Sequence, residues 1–316
     1  MQKADVLIVG GGPAGAACAW RLAGSGASVF ILEKADYPRQ KPCAGWVTPE
    51  VLRTLDPLLA GYPHGVTHYS RFDVSIGKVR FGMRTDQYAI RRIEFDDWLV
   101  QQCGAPVLRH EVRSIVNRPD GYLVDGDYFG KHLVGAGGSY CPVYRQLFKD
   151  TPNRAANRLI IAQEEEFEYA HREEKCRLWF FQDRLPGYAW YVPKANNIVN
   201  VGVGGSAGQL KANRDDLKRH WRLLVEKLER MNLVTGHNYQ PVAHSYYLRQ
   251  RNPCVQRERA YLTGDSAGLA TRDMGEGIAP AIQSGLLAAD AILNDHDYLI
   301  DSISRYSFPS LFGLRR

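Results

Sequence analysis

Hydrophobic and polar positions change their rhythm along this chain. Asp5 to Val9 is a short, mostly continuous apolar run, the pattern of a strand buried on both faces of a parallel sheet. A glycine-rich turn, Gly10 to Gly15, follows and leads into the helix formers Ala16 to Leu22, which Gly24 and Gly26 end. Ser28 to Leu32 is a second apolar run and predicts a strand finishing at Glu33. Later segments are shorter and strand-like: Phe72 to Ile76, Val79 to Met83, Arg158 to Phe167, Lys175 to Phe181, Tyr188 to Val192 and Ile198 to Gly202. Together they read as an antiparallel sheet. Asp215 to Asn232 predicts a long helix with Leu217, Trp221, Leu224 and Leu228 on one face, a stripe read as core packing and not as a membrane anchor. Ala260 to Leu262 predicts another strand, and the alanine-rich stretch after Ile278 another helix. No internal repeat or low-complexity tract is seen.

Composition excludes several classes. With 316 residues, 45% hydrophobic, 23% charged and a mean hydropathy of -0.34, the chain has the balance of a globular protein of about two domains, or one domain with an insertion. No stretch approaches the roughly 20 apolar residues of a membrane span, and the most apolar helical candidate is interrupted by Asp290. Only four residues precede the first strand run, leaving no room for a signal peptide, so a cytoplasmic location is expected. The six cysteines are far apart and the nine histidines are scattered, so reduced thiols and no metal site are expected. A net charge of +6 fits an anionic cofactor, an anionic lipid surface or simple solubility, and no nucleic-acid partner is expected. No serine, histidine and aspartate set accompanies a nucleophile elbow, which leaves hydrolase chemistry unsupported.

The first chemistry lies in the glycine-rich turn. Gly10, Gly12 and Gly15 stand at the spacing of a dinucleotide-binding turn, with Pro13 and Ala14 between the last two. The first allows the turn, the second lets backbone approach a pyrophosphate, and the third lets helix and strand pack closely. Glu33, followed by Lys34, lies close to the offset of the acid that binds an adenosine ribose, and its charge repels a 2′-phosphate. The ligand of this unit is therefore expected to be FAD or NAD and not NADP.

Three further segments favour FAD. Thr263-Gly264-Asp265 ends a strand and leads to Gly275-Glu276-Gly277-Ile278 at a helix start. Arg92 to Leu99 is similar to an arginine-bearing flavoprotein helix. Lys131 to Gly138, with Ala136, Gly137 and Gly138 at its end, resembles a strand and turn that return to the cofactor, with Gly137 in place of Asp, Cys141 of Ser and Tyr144 of Arg. With these motifs the chain resembles the glutathione-reductase-like flavoproteins, in the group of geranylgeranyl reductases, flavin halogenases and aromatic hydroxylases. Lys41-Pro42-Cys43-Ala44-Gly45 is similar to the reductases' loop at the flavin, and Tyr188-Ala189-Trp190-Tyr191-Val192-Pro193 to their segment lining the substrate cavity. Gly268 stands where aromatic hydroxylases carry His. Tyr188 stands where halogenases carry Trp.

The resemblance implies an α/β fold, a Rossmann-like FAD-binding domain with an inserted antiparallel-sheet (α+β) substrate domain. Its parts are expected at 1–55, 90–150 and 245–316 for FAD and at 56–89 and 151–244 for substrate. It implies tightly bound FAD and hydride transfer to a carbon–carbon double bond of a small hydrophobic, prenyl-like or lipid substrate. Contact with a membrane surface is compatible with it. The alternatives are a monooxygenase or halogenase working through a flavin–oxygen adduct, and a flavin-binding protein without turnover. The second glycine-rich turn lacks a third glycine and Pro142 disfavours an immediate helix, so NAD(P)H or another reductant, or a separate electron donor, would bind transiently. Candidate catalytic residues are Cys43, as a thiol donor or an apolar filler, and Tyr188 and Trp190, as an aromatic wall or as core, with the Tyr188 hydroxyl a candidate proton donor. Arg272 stands where the reductases carry Pro, either binding an anionic substrate or pointing outward. The chain stops about thirty residues after Gly285, where prenyl reductases continue, so part of a lipid pocket is expected to be missing.

Overall fold

The computed structural model describes residues 1–307, and the last nine residues of the segment expected at 245–316 lie outside the described residues. Two eight-stranded sheets organise the described residues. In the first, Ala260–Leu262, Tyr128–Gly135, Gln2–Val9, Val29–Glu33 and Val107–Arg109 pair in parallel, in that order. Antiparallel Gln256–Arg257 extends the Ala260–Leu262 side, and the Ile115–Arg118 and Gly121–Val124 hairpin pairs onto Tyr128–Gly135. Val6, Leu7 and Ile8 have no exposed surface, as a strand covered on both faces requires. The first helix, Pro13–Ala23, packs against the last, Ile278–Asn294, so closely that a Cβ at Gly285 would stand 2.2 Å from the Ala14 carbonyl oxygen.

The second sheet runs Val242–Tyr247, Leu159–Glu168, Ile198–Ser206, Gly187–Lys194, Cys176–Phe180, Thr67–Ile76, Val79–Ala89 and Trp46–Val47. It is mixed and not antiparallel throughout: Cys176–Phe180 pairs in parallel with Thr67–Ile76. A parallel neighbour needs a long crossover, and here the connection runs through the first sheet. One face carries Leu217–Arg230, whose Leu217, Trp221, Leu224 and Leu228 are buried against Val199, Val201 and Val203. The stripe is core. The other face lies over the first sheet and builds the site.

Two boundaries shift with the sheets. Trp46–Val47, within the first segment expected for FAD, pairs into the second sheet, as does Val242–Tyr247 across the expected 244/245 boundary. Leu58, near the start of the expected substrate segment, is buried in the core of the first sheet. After the turn at Gly137, a helix does begin directly at Pro142 and runs to Leu147. Proline at the first helical position gives up only an N–H that would have had no partner in the helix.

Candidate active site

All of the expected cofactor-binding residues except Gly15 line one cleft of about 580 Å³ between the two sheets. Gly10, Gly12, Pro13 and Ala14 form one end, with Glu33 and Lys34 at the tip of the neighbouring strand. Gly10 has φ of +107°, and a Cβ on it would lie 2.6 Å from the Ala136 carbonyl oxygen. Gly15 does its work one layer behind the cleft: a Cβ there would sit 2.0 Å from the Gly10 carbonyl oxygen, holding helix and strand apart. Gly12 caps the helix without a side-chain bond, so the helix N-terminus keeps donors for an anion. The Glu33 carboxylate accepts from the Gly11 N–H at 2.8 Å and the Ala35 N–H at 3.1 Å, which holds it at the strand end.

The middle of the cleft takes Ala136, Gly137 and Gly138 from the returning strand, and Gly264 and Asp265 after Ala260–Leu262. Arg154 ties these turns together through the carbonyl oxygens of Ser139 and of Ser266, the latter at 3.1 Å. Gly275, Gly277 and Ile278 close this part at the start of Ile278–Asn294, another helix whose cap has no side-chain bond. Arg92 lines the cleft but is held by Asp96 in a bidentate pair at 2.7 and 2.8 Å, so its charge is largely satisfied inside the protein.

At the far end stand Cys43, Ala44 and Gly45, with Tyr188 and Trp190 opposite. Gly45 has φ of +81° and its missing Cβ would meet the Ile90 carbonyl oxygen at 2.1 Å, which explains a glycine at the end of this loop. The Cys43 Sγ accepts from the Gly45 N–H at 3.3 Å, and burial raises its pKa, so it is a thiol and not a thiolate. Tyr188 and Trp190 face the same side, with ring centroids 5.6 Å apart. The Tyr188 hydroxyl donates to the Met274 carbonyl at 2.7 Å, and the Trp190 indole N–H donates to Asn200 Oδ1 at 2.7 Å. Burial pushes the Tyr188 phenol well up, which makes it a reluctant acid.

Several residues of this end were not singled out by sequence. Register aligns Glu164, Gly202 and Trp190 across three strands, and beside them His244, Ala162, Gly204 and Tyr188 across four. The small residues form a trough in which the large side chains stand. Glu164 is 3% exposed, and burial raises its carboxyl to about 7, against the opposing pull of Lys194. His244 is pushed down to about 4 by burial and by Lys41 and Arg92. Nothing local distinguishes Glu164 from its neighbours: strand alternation sets Glu165 on the opposite face, and only the finished sheet separates buried Glu164 from Glu166, which pairs with Lys194 and Arg91.

Beyond the aromatic wall lies a second cavity of about 560 Å³. Val74, Phe81, Met83, Leu178 and Phe180 line it, and it shares Tyr188, Trp190, Tyr246, Met274 and Gly275 with the cleft. Among the described residues, Arg272 and Asp273 are its only charged lining residues. Arg272 is among the residues lining this cavity, and its Nε donates to the Arg249 carbonyl at 3.0 Å. Among the described residues, no group of three or more His, Cys, Asp or Glu is placed to hold a metal ion, the six cysteines are free thiols, and no helix is long and apolar enough to cross a membrane.

A parallel sheet, two uncapped helix starts aimed into one cleft and an acid at the second strand end define a dinucleotide-binding oxidoreductase fold. The FAD dependent oxidoreductase family matches residues 5–71. The menaquinone reductase of Mycobacterium tuberculosis is 28% identical over 323 residues, covering 92% of this chain and 77% of that protein. Digeranylgeranylglycerophospholipid reductase 1 of Methanosphaera stadtmanae is 24% identical over 333 residues, covering 97% and 80%. The same fold is seen in a geranylgeranyl bacteriochlorophyll reductase-like protein of Thermoplasma acidophilum, with a TM-score of 0.80 and 22% identity over 93% of this chain and 79% of that one. A flavin-dependent brominase shares it with a TM-score of 0.74 and 18% identity over 93% and 79%. The protein is an FAD-dependent oxidoreductase.

Proposed function

We propose that this protein reduces a carbon–carbon double bond in a prenyl-like, apolar substrate. The observation that carries the reading is the apolar cavity set against the dinucleotide cleft across one aromatic wall. The similarity to reductases whose names specify menaquinone and a digeranylgeranyl lipid supports it. FAD fits the cleft: Gly10, Gly12 and the Pro13–Ala23 N-terminus would hold its pyrophosphate, Glu33 its adenosine ribose, Asp265 its ribityl chain, and the Cys43–Gly45 loop its ring. When bound, FAD supplies hydride chemistry at the far end of the cleft.

The chain's own residues do the rest. Val74, Phe81, Leu178 and Phe180 exclude water and hold an apolar tail, and Tyr188 and Trp190 fix its approach. The Arg272 guanidinium binds an anionic head group on that substrate. Glu164 holds a proton at its carboxyl near neutral pH and is better placed than Tyr188 to release it, because the Tyr188 hydroxyl is committed to Met274. The electron donor is NAD(P)H bound transiently, or a separate protein.

The test uses the purified holoprotein, photoreduced without air and mixed with geranylgeranyl diphosphate. The expected result is reoxidation of the flavin with product heavier by two hydrogens per reduced double bond. Reoxidation by dioxygen alone, with an oxygenated or halogenated product from an added aromatic substrate, would overturn the reading in favour of oxygen chemistry.

A further inference from the structure

The outer rim of the apolar cavity is unusually greasy for a protein surface. Ile76 and Val79 pair across the tip of the Thr67–Ile76 and Val79–Ala89 hairpin, and Phe81 follows two residues along the same face. Phe180, which pairs with Ile76, leads into Phe181 in the adjoining turn, and Gln182 Nε2 reaches the Gly77 carbonyl at 3.4 Å. Ile76, Val79, Phe81 and Phe181 are 45%, 64%, 43% and 61% exposed. Exposed apolar side chains scattered singly need no explanation, but four gathered at two touching turns do.

Two observations decide what covers them. Ile76, Phe81 and Phe181 also line the apolar cavity, so the patch continues into the interior and is not an isolated spot. The surrounding charge is basic: the hairpin exposes Arg71, Lys78, Arg80 and Arg84 against Asp86 and a half-buried Asp73 that pairs with Arg80 at 3.1 Å, and Arg184 stands in the second turn with Asp183. Apolar side chains at turn tips, flanked by cations and leading into an apolar cavity, match the chemistry of an anionic lipid surface.

We propose that the Ile76–Phe81 hairpin tip and the Phe181–Arg184 turn together dock the protein on an anionic bilayer, with the cavity mouth facing the lipid. The inference deepens the proposed function by placing substrate entry at the membrane, but its test reads binding and not turnover, so either can fail without the other. Docking is reversible and peripheral, because it inserts a few side chains and no helix. The apolar tips supply affinity and the cations supply preference for negative head groups.

The experiment is flotation of the FAD-loaded protein with vesicles of phosphatidylcholine, with and without phosphatidylglycerol. The protein should float with the anionic vesicles, and less well as salt is raised. Phe81→Ser with Phe181→Ser should lower the bound-to-free ratio about tenfold or more, with flavin absorbance unchanged. Lys78→Glu with Arg184→Glu should remove the preference for phosphatidylglycerol. Val116→Ser with Leu299→Ser, equally exposed but remote from the hairpin, should leave flotation unchanged. Equal flotation of the Phe81/Phe181 variant and the unaltered protein would overturn the proposal. So would absence of flotation in the unaltered protein, or a dimer in solution that the same variant dissolves without any vesicle binding, which would assign the patch to a second copy of this chain.

Discussion

The cleft and the cavity share a wall and are built on opposite principles. The cleft is made by backbone: glycines at positions 10 and 15 bring two chain segments and a helix start so close that a single methyl group would collide. The cavity is made largely by side chains from the second sheet, a set of aliphatic and aromatic groups around the Gly204 end of the trough. Backbone geometry recognises a charged, invariant group such as pyrophosphate. Side-chain surfaces select shape, and they can change without altering the cleft. This is why one fold accommodates both reductases and a brominase.

Breaking the backbone region should have the largest effect. Gly15→Val places atoms inside the Gly10 carbonyl, and the expected outcome is protein that is unfolded or carries no FAD, read from the flavin-to-protein absorbance ratio. Next is the boundary between the regions. Glu164→Gln should lower single-turnover reduction of geranylgeranyl diphosphate about 100-fold with FAD content unchanged. Glu164 must carry its proton to act, so the rate of the unaltered protein falls as pH rises through about 7, and the variant should lose that fall.

Filling the trough should separate the two regions most clearly. A Cβ at Gly204 would have only ordinary contacts, the nearest with the Ala162 methyl at 3.4 Å, so Gly204→Val should fold and keep FAD. Its branches would project over the trough, and KM for the apolar substrate should rise roughly tenfold. The smallest effect is expected at Arg272. Arg272→Gln should weaken geranylgeranyl diphosphate binding by roughly three- to tenfold while leaving an uncharged polyprenyl alcohol unaffected. Equal effects on both ligands would show that Arg272 shapes the cavity and does not read a head group.

Legibility in the sequence follows the same division. The turn from Gly10 to Gly15, Glu33 and the Gly264-Asp265 pair could be read because backbone-built sites require particular residues at fixed local spacing. Tyr188 and Trp190 were legible as a pair because a strand's two-residue period puts them on one face. Glu164, Tyr246 and His244 were not, since a glutamate in an acidic run and a histidine on an outer strand look ordinary until their neighbours are known. The parallel pairing of Cys176–Phe180 with Thr67–Ile76 was missed for a related reason, as pairing direction over a separation of about a hundred residues leaves no local trace.

By itself, the sequence determined the dinucleotide unit, the alternation of strands and helices, and the chemical class of the cofactor, all consequences of local sterics and periodicity. Only the tertiary structure decided that the second sheet is mixed, that an apolar cavity opens beside the cleft, and that its rim is greasy and basic. It also decided that one glutamate of three is buried beside the aromatic wall. Burial and convergence belong to residues distant along the chain, and the protonation of Glu164 is set by what surrounds it and not by what precedes or follows it.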